Sequence, residues 1–317
     1  MNILITGAFG FVGSNISTGI KNSSKHHLIA IDLYQPTEHS YDEFYSWSDL
    51  DKVNWDRIDV IIHLAGKAHD TRNSTDEQSY FNINVGLTEK IFKYFLLSIA
   101  SKFIFFSSVK AVADTVKGKS LTEDDIPDPK TYYGISKLLA EKYILEQNLP
   151  TGKKVYILRP SMIHGSGNKG NLNLLYKLSL RGVPWPLGSF ENKRSFTSID
   201  NLNFIIQQLI NRSIEPGIYQ LADDESLSTN DIIRLIAISL NKRPRILNIS
   251  PDLIRKLAKM GDRFNFILNS ERLKKLTESY IVSNQKLKTA LEIEKMPIAA
   301  VEGMKQTFQS FRNAGSC

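Results

Sequence analysis

Cysteine is all but absent: the single residue, Cys317, is the last of 317. One thiol closes no disulfide framework and builds no thiolate metal cluster, which fits a reducing, cytoplasmic setting. Long apolar runs are missing too. No stretch approaches the roughly 18 uninterrupted apolar residues of a membrane-crossing helix, so no integral membrane segment is expected. The opening MNILITG runs straight into strand-like sequence without the charged segment and cleavage site of a secretory leader. Lys and Arg outnumber Asp and Glu by 40 to 33, a formal charge of +7. They are dispersed, with a mild concentration over 255–288 and no Lys/Arg run of the kind that marks a nucleic-acid arm. A solvated basic surface is the plain reading, no nucleic-acid partner is expected, and a phosphate-bearing substrate would suit the charge. His69 and His164 are lone loop histidines without partners at metal spacing, so no metal site is expected. His63 lies in an apolar strand and reads as a packed core histidine.

What is present is ordinary globular composition, 42% hydrophobic and 23% charged, which excludes disorder and collagen-like structure. The length suits about two domains. In the first half, short segments rich in apolar, β-branched and aromatic residues (2–6, 28–32, 59–64, 103–107 and 154–159) read as strands. Longer helical stretches such as 78–98 and 133–146 lie between them. That alternation predicts βαβ units and a parallel sheet, an α/β fold. After Pro160 the texture changes, with the breaker-rich segments GSGNKGNLN (165–173) and GVPWPLG (182–188). A strand at 217–223 follows, then Ser228-Thr-Asn-Asp231 as a capping-box start and Ser250-Pro251 opening another helix. The expected division is a dinucleotide-binding domain over 1–165, with return segments around 196–224. A smaller, mostly helical and discontinuous lobe takes up 166–317.

Two motifs carry chemistry. GAFGFVG, residues 7–13, directly follows the first strand. Glycines there allow a tight turn, a close backbone approach to a pyrophosphate and close helix–strand packing, and the next helix offers its N-terminal N–H groups to the phosphates. Asp32 follows Gly13 by 19 residues, where an acidic residue binds the ribose 2′-hydroxyl and repels a 2′-phosphate. Dinucleotide binding follows, with NAD favoured over NADP. The second motif is YGISK, Tyr133 to Lys137, whose i,i+4 spacing puts phenol and ammonium on one helix face. A free phenol titrates near ~10, so proton exchange near neutrality needs about three pH units, or ~4 kcal/mol, of stabilisation. A nearby lysine and a cationic nicotinamide act in that direction. Ser107 and Ser108 end the preceding strand, where the ligand crevice of an open α/β sheet lies.

These motifs, with DVIIHLAG (59–66) and Asn84 in NVG, make the chain similar to the extended short-chain dehydrogenase/reductases. That family holds nucleotide-sugar epimerases, dehydratases and ketoreductases. The resemblance covers essentially the whole chain, since RSFTSIDNL (194–202) resembles the family's substrate-lobe segment. It implies a Rossmann-type doubly wound parallel sheet with a smaller helical C-terminal lobe, an NAD cofactor, a UDP-sugar substrate and a homodimer. Gly7, Phe9, Gly10, Phe11, Val12, Gly13 and Asp32 would hold the dinucleotide, with Leu64, Ala65, Gly66 and Asn84 beside it and Asp49 and Leu50 at the adenine. Ser108 falls on the family's catalytic Ser/Thr, Tyr133 on the acid/base, and Lys137 on the residue that lowers the tyrosine pKa and binds the nicotinamide ribose. Arg194 would pair with the substrate diphosphate, with Asn171 and Arg272 as further candidates for that pocket. The helices carrying Phe92 to Phe95 and Tyr133 to Leu145 would form the dimer interface.

Two departures narrow the reading. Met162 stands where many relatives carry Asn, and Val109-Lys110 stands where dehydratases place Asp-Glu after the catalytic hydroxyl. The Val-Lys version resembles a subgroup of UDP-glucose 4-epimerases and 4-ketoreductases of 6-deoxy-N-acetylhexosamine synthesis. The expected function is therefore a UDP-hexose 4-epimerase, with a reductase of a UDP-4-keto-6-deoxy-hexosamine as the alternative. A non-catalytic NAD sensor or scaffold is a distant third, because Ser108, Tyr133 and Lys137 are all intact.

Overall fold

The computed structural model describes residues 1–67, 77–168, 170–264 and 269–314; His69, Lys169 of the Gly/Asn-rich loop and Cys317 lie outside them. Strands β1 (Asn2–Thr6), β2 (His27–Asp32), β3 (Glu43–Ser46), β4 (Val60–His63), β5 (Lys102–Phe106), β6 (Lys154–Pro160) and β9 (Gly217–Leu221) form one sheet, ordered β3-β2-β1-β4-β5-β6-β9. Every pairing is parallel, with Ile5 opposite both Ala30 and Ile62 and Ile104 opposite Tyr156. Parallel strands are covered on both faces, so their sequences are continuously apolar. This is the doubly wound order, reversing between β1 and β4, and it puts the ligand crevice at the carboxyl ends of those strands.

Helices α1 (Phe11–Ser23) and α6 (Ile199–Asn211) cover one face, where Ile16, Ile20, Leu202 and Ile206 pack on Ile3, Ile5, Ile104 and Tyr156. The other face carries the stretch expected as one helix over 78–98. It is built in three pieces: α2 (Glu77–Tyr80), a π-helical turn (Phe81–Gly86) and α3 (Leu87–Leu97). With α4 (Tyr132–Leu145) they bury Phe92, Phe95, Ala140 and Ile144 on Phe103, Phe105 and Ile157. Phe92 and Phe95 thus point inward. The large apolar side chains that α3 and α4 expose are Leu97, Tyr132, Leu139 and Leu145.

Beyond Pro160, β7 (Met162–His164) pairs in parallel with β8 (Phe196–Ser198) as a separate two-stranded sheet. Around it a second core gathers Leu175, Trp185, Phe196, Ile236, Leu273 and Phe308. Its helices are α5 (Asn171–Leu180), α7 (Thr229–Ser239), α8 (Pro251–Phe264), α9 (Ser270–Thr277) and α11 (Ala300–Ala314). Ser228 and Asp231 do form a reciprocal capping box at the start of α7. Between these lobe helices, α10 (Gln285–Leu291) returns Leu287 and Leu291 to the first core. His164 is not a loop residue. It ends β7 fully buried, 2.8 Å from Thr307 Oγ1 and 3.4 Å from an Asp223 carboxylate oxygen. A three-residue strand is too short to show a pattern, which hid it. Among the described residues no helix is long and apolar enough to cross a membrane.

Candidate active site

The glycine turn is built as its sequence requires. Gly7 sits at φ +65°, and a Cβ there would lie 2.8 Å from the Ala65 nitrogen. A Cβ on Gly13 would lie 2.5 Å from the carbonyl oxygens of both Gly7 and Ala8. Neither position admits a side chain, so the backbone stays bare at both. Gly10 caps α1 without a side chain and Phe11 begins it, leaving the first-turn N–H groups to an anionic ligand. Asp32 accepts from the Phe9 N–H at 2.8 Å and from the Leu33 N–H at 2.7 Å. Its carboxylate is therefore fixed at the edge of the turn, with lone pairs to spare for a ribose hydroxyl.

Tyr41, which nothing in its local sequence marks, fastens the same turn. Its hydroxyl donates to the Ala8 and Gly13 carbonyls at 3.0 and 3.1 Å. Phe9 packs edge-on to it, with ring centroids 5.4 Å apart, and Val12 is half-buried behind. The Leu50 side chain is 2% exposed and packs among Ile31, Val53 and Ile61. Asp49, half-buried beside it, accepts from Ser46 at 2.5 Å and Lys52 at 2.6 Å. Leu64 and Ala65 continue β4 into the crevice, their N–H groups held by the Thr6 carbonyl and hydroxyl.

Ser108, Tyr133 and Lys137 come together at the carboxyl end of β5. Ser108 caps a short 3₁₀ turn, its hydroxyl accepting from the Lys110 N–H at 3.2 Å. Thr131 caps α4 in the same manner, accepting from Gly134. The Tyr133 phenol is hydrogen-bonded to Ser108. Burial pushes that phenol above its ordinary range, the Ser108 bond pulls it down, and the neighbouring Tyr80, edge-on at 6.4 Å, pushes it up again. Lys137 is itself 5% exposed, its ammonium donating to the Phe106 carbonyl at 2.8 Å. Burial pulls its pKa down to about 8, against the raising effect of Glu141.

Gly66 and Asn84 complete the group. A Cβ on Gly66 would lie 3.0 Å from the Lys137 ammonium and 2.8 Å from Asn84 Oδ1. Asn84, fully buried in the π turn, accepts from the Lys67 N–H at 2.7 Å and donates to Ser136 at 2.9 Å. The π turn widens the helix by one residue where the amide must reach the chain. The chain after β4, the lysine head and the tyrosine helix are thereby locked together.

Beneath this group lies a layer that motif reading missed. Glu141, 1% exposed, takes a two-point contact from Arg159, Nε at 2.9 Å and Nη2 at 2.5 Å, and a further hydrogen bond from the Ser107 hydroxyl. Its i,i+4 spacing from Lys137 was the available signal. His63 is the packed core histidine expected, bonded to Thr6 at 2.6 Å and Thr88 at 3.0 Å, and burial pushes it down to about 3.

On the substrate side, Arg194 is half-buried and donates to the Lys275 carbonyl at 2.6 Å. Its strand segment bridges Leu227 and Tyr280. Tyr280 then reaches the Ser108 turn, its hydroxyl donating to Ala113 at 2.6 Å with the Lys110 ammonium 4.2 Å over its ring. Burial pulls Lys110 down to about 8. Met162 packs on the second core. Asn171 is exposed at the first residue of α5, and Arg272 is exposed on α9.

Residues 3–222 match the family model described as the NAD dependent epimerase/dehydratase family. A UDP-glucose 4-epimerase of Vibrio cholerae is 29% identical over 99% of this chain and 97% of its own. The N-acetyl-alpha-D-glucosaminyl-diphospho-ditrans,octacis-undecaprenol 4-epimerase of Escherichia coli O157:H7 is 29% identical over 76% of this chain and 73% of its own. Among solved structures, MoeE5 in complex with UDP-glucuronic acid and NAD superposes with a TM-score of 0.75 at 21% identity, covering 99% of this chain and all of that one. The glycine turn closed by Asp32, the doubly wound sheet and these matches agree: the chain belongs to the NAD-dependent epimerase/dehydratase family.

Proposed function

We propose that the protein is a UDP-hexose 4-epimerase in which Ser108, Tyr133 and Lys137 work at C4 of the sugar. The observation that carries this reading is the hydrogen bond of the half-buried Tyr133 to Ser108, with the Lys137 ammonium against Gly66 at the mouth of the dinucleotide crevice. NAD, when bound, supplies the acceptor and then the donor of the C4 hydride. Gly7, Gly10, Gly13 and the first turn of α1 would hold its pyrophosphate, Asp32 a ribose and Gly66 its inner edge. Tyr133 takes the proton of the C4 hydroxyl and returns it after the ketone has turned over in the pocket. Ser108 holds the C4 oxygen through both halves. Lys137, one helical turn from Tyr133 and buried, would as a cation favour the phenolate that forms. Arg194 would take the diphosphate, with Asn171 and Arg272 near it, on a lobe drawn from 166–317. The single terminal cysteine supports a cytoplasmic setting, and the exposed Leu97, Leu139 and Leu145 support a homodimer through α3 and α4.

The test is a panel of UDP-hexoses, UDP-N-acetylhexosamines, their 4-keto forms and one polyprenyl diphosphate sugar, followed for products and nicotinamide absorbance. Interconversion of C4 isomers with no net absorbance change is the expected result. Turnover of a 4-keto sugar alone, consuming one NADH per ketone, would make the protein a reductase, and no turnover of any member would leave it a non-catalytic binder.

A further inference from the structure

The second core leaves one of its helices half covered. α8 buries Ile254 and Ala258, at 2% and 0% exposure, as one apolar stripe. A second stripe, Leu253, Leu257 and Met260 at positions i, i+4 and i+7, is 51%, 45% and 53% exposed. At about 100° per residue the two stripes lie side by side, so the apolar arc is about twice as wide as the core requires. The rest of the circumference carries four basic side chains and two acidic ones, Asp252 and Asp262, the latter tied to Ser270. Lys256 and Arg263 stand within about 90° of the exposed stripe by the same helical spacing. Arg255 pairs with Asp252, while Lys256, Lys259 and Arg263 have no carboxylate partner among the described residues. Residues 251–277 carry seven basic and three acidic side chains, a surplus of four in a chain whose net charge is +7. Arg255, Lys259 and Lys274 also line a cleft of about 540 Å³ against α9, with Glu191 as its acid.

We propose that α8 is a docking surface for an anionic lipid bilayer, with Leu253, Leu257 and Met260 seated at the headgroup boundary and Lys256 and Arg263 on lipid phosphates. The chemistry favours a bilayer over a protein. Protein interfaces bury an aromatic-rich centre and are depleted in lysine, whereas this stripe is one side chain wide, aliphatic and flanked by lysine and arginine. Their long stems can lie along the apolar boundary while the charges stay in the headgroups. A bilayer asks for no shape complementarity, only for apolar and cationic arcs side by side, and the cytoplasmic leaflet supplies the anionic charge. The inference stands independently of the C4 chemistry.

Flotation of the full chain with vesicles of phosphatidylcholine alone, or mixed with phosphatidylglycerol, tests it. Binding to the anionic vesicles only, weakening as salt rises, is expected. Lys256→Gln with Arg263→Gln should cut the bound fraction on the order of tenfold or more, and Leu257→Ser with Met260→Ser should abolish it. All four positions are surface ones, so thermal melts should match the parent and report any misfolding. No binding by the parent chain, or equal binding by both double variants, would overturn the proposal. So would a stripe variant that changes only the oligomeric state in light scattering, since a second copy would then be the occupant.

Discussion

Glu141→Gln probes the layer under Lys137. The substitution keeps the shape of the side chain and removes the one charge that raises the lysine. Residues at i and i+4 on a helix lie about 6 Å apart, and unit charges at that distance interact by about 3 kcal/mol at an effective dielectric near 20. That corresponds to about two pH units, and little solvent screens it because Lys137 and Glu141 are 5% and 1% exposed. The other groups around the lysine do not compensate. His63 on β4 is neutral at working pH, Tyr133 is an uncharged phenol, and Arg159 on β6 is a second cation left without its partner. Lys137 holds its proton below about pH 8 in the parent, so a rate that needs the cation falls above that pH. In the variant the fall should move down by one to two pH units, by the same charge arithmetic. Activity at pH 6 should survive far better than activity at pH 8. Breaking a buried ion pair by removing one partner costs about 3–5 kcal/mol, so the melting temperature should drop by roughly 5–10 °C. Initial rates from pH 5.5 to 9, below the melting transition, separate the two effects. A variant that loses stability while its pH profile overlays the parent's would refute the role given to Glu141.

Other outcomes follow from the same geometry. Tyr133→Phe removes only the proton-carrying oxygen and should lower turnover by roughly 10²–10⁴-fold, with NAD affinity by calorimetry unchanged; activity within a few-fold of the parent would remove Tyr133 from the mechanism. NAD should bind more tightly than NADP, because the carboxylate fixed by the Phe9 and Leu33 N–H groups would face a 2′-phosphate. Asp32→Ala should narrow that gap at fixed ionic strength. No 4,6-dehydratase activity is expected on any UDP- or dTDP-hexose. Val109 moves no protons, and Lys110, at about 8, stays mostly cationic at neutral pH and is held by the Asp114 carbonyl. A 4-keto-6-deoxy product from an unmodified hexose would contradict this.

What could be read from the sequence was what short-range geometry dictates. A turn with no room for Cβ at Gly7 and Gly13 demands glycine, and a strand covered on both faces demands continuous apolar residues, so the sheet and the dinucleotide turn announced themselves. Tyr133 and Lys137 were visible because one helix face joins them. Contacts between distant segments left no local mark. Tyr280 reaches Val109 and Ala113 across more than 160 residues, and Tyr41 closes a turn belonging to another βα unit. Arg159 finds Glu141 because α4 packs on the sheet at β6, a fact of topology. Leu50 turns its side chain into the core while its neighbour Asp49 stays polar and half-buried, a split that no local pattern marks. β3 was missed because four half-buried residues at a sheet edge show neither alternation nor a continuous apolar run.

The central claim is that hydride leaves C4 and returns to the same carbon while Tyr133 handles only the hydroxyl proton. It is tested most directly with a UDP-hexose carrying deuterium at C4, incubated to equilibrium with the protein in ordinary water. Mass spectrometry and NMR of both C4 isomers should show the label retained at C4 in full, with none in solvent. Loss of the label to water in step with epimerisation would mean that the carbon-bound hydrogen departs as a proton, and the roles given to Ser108, Tyr133 and Lys137 would fall together.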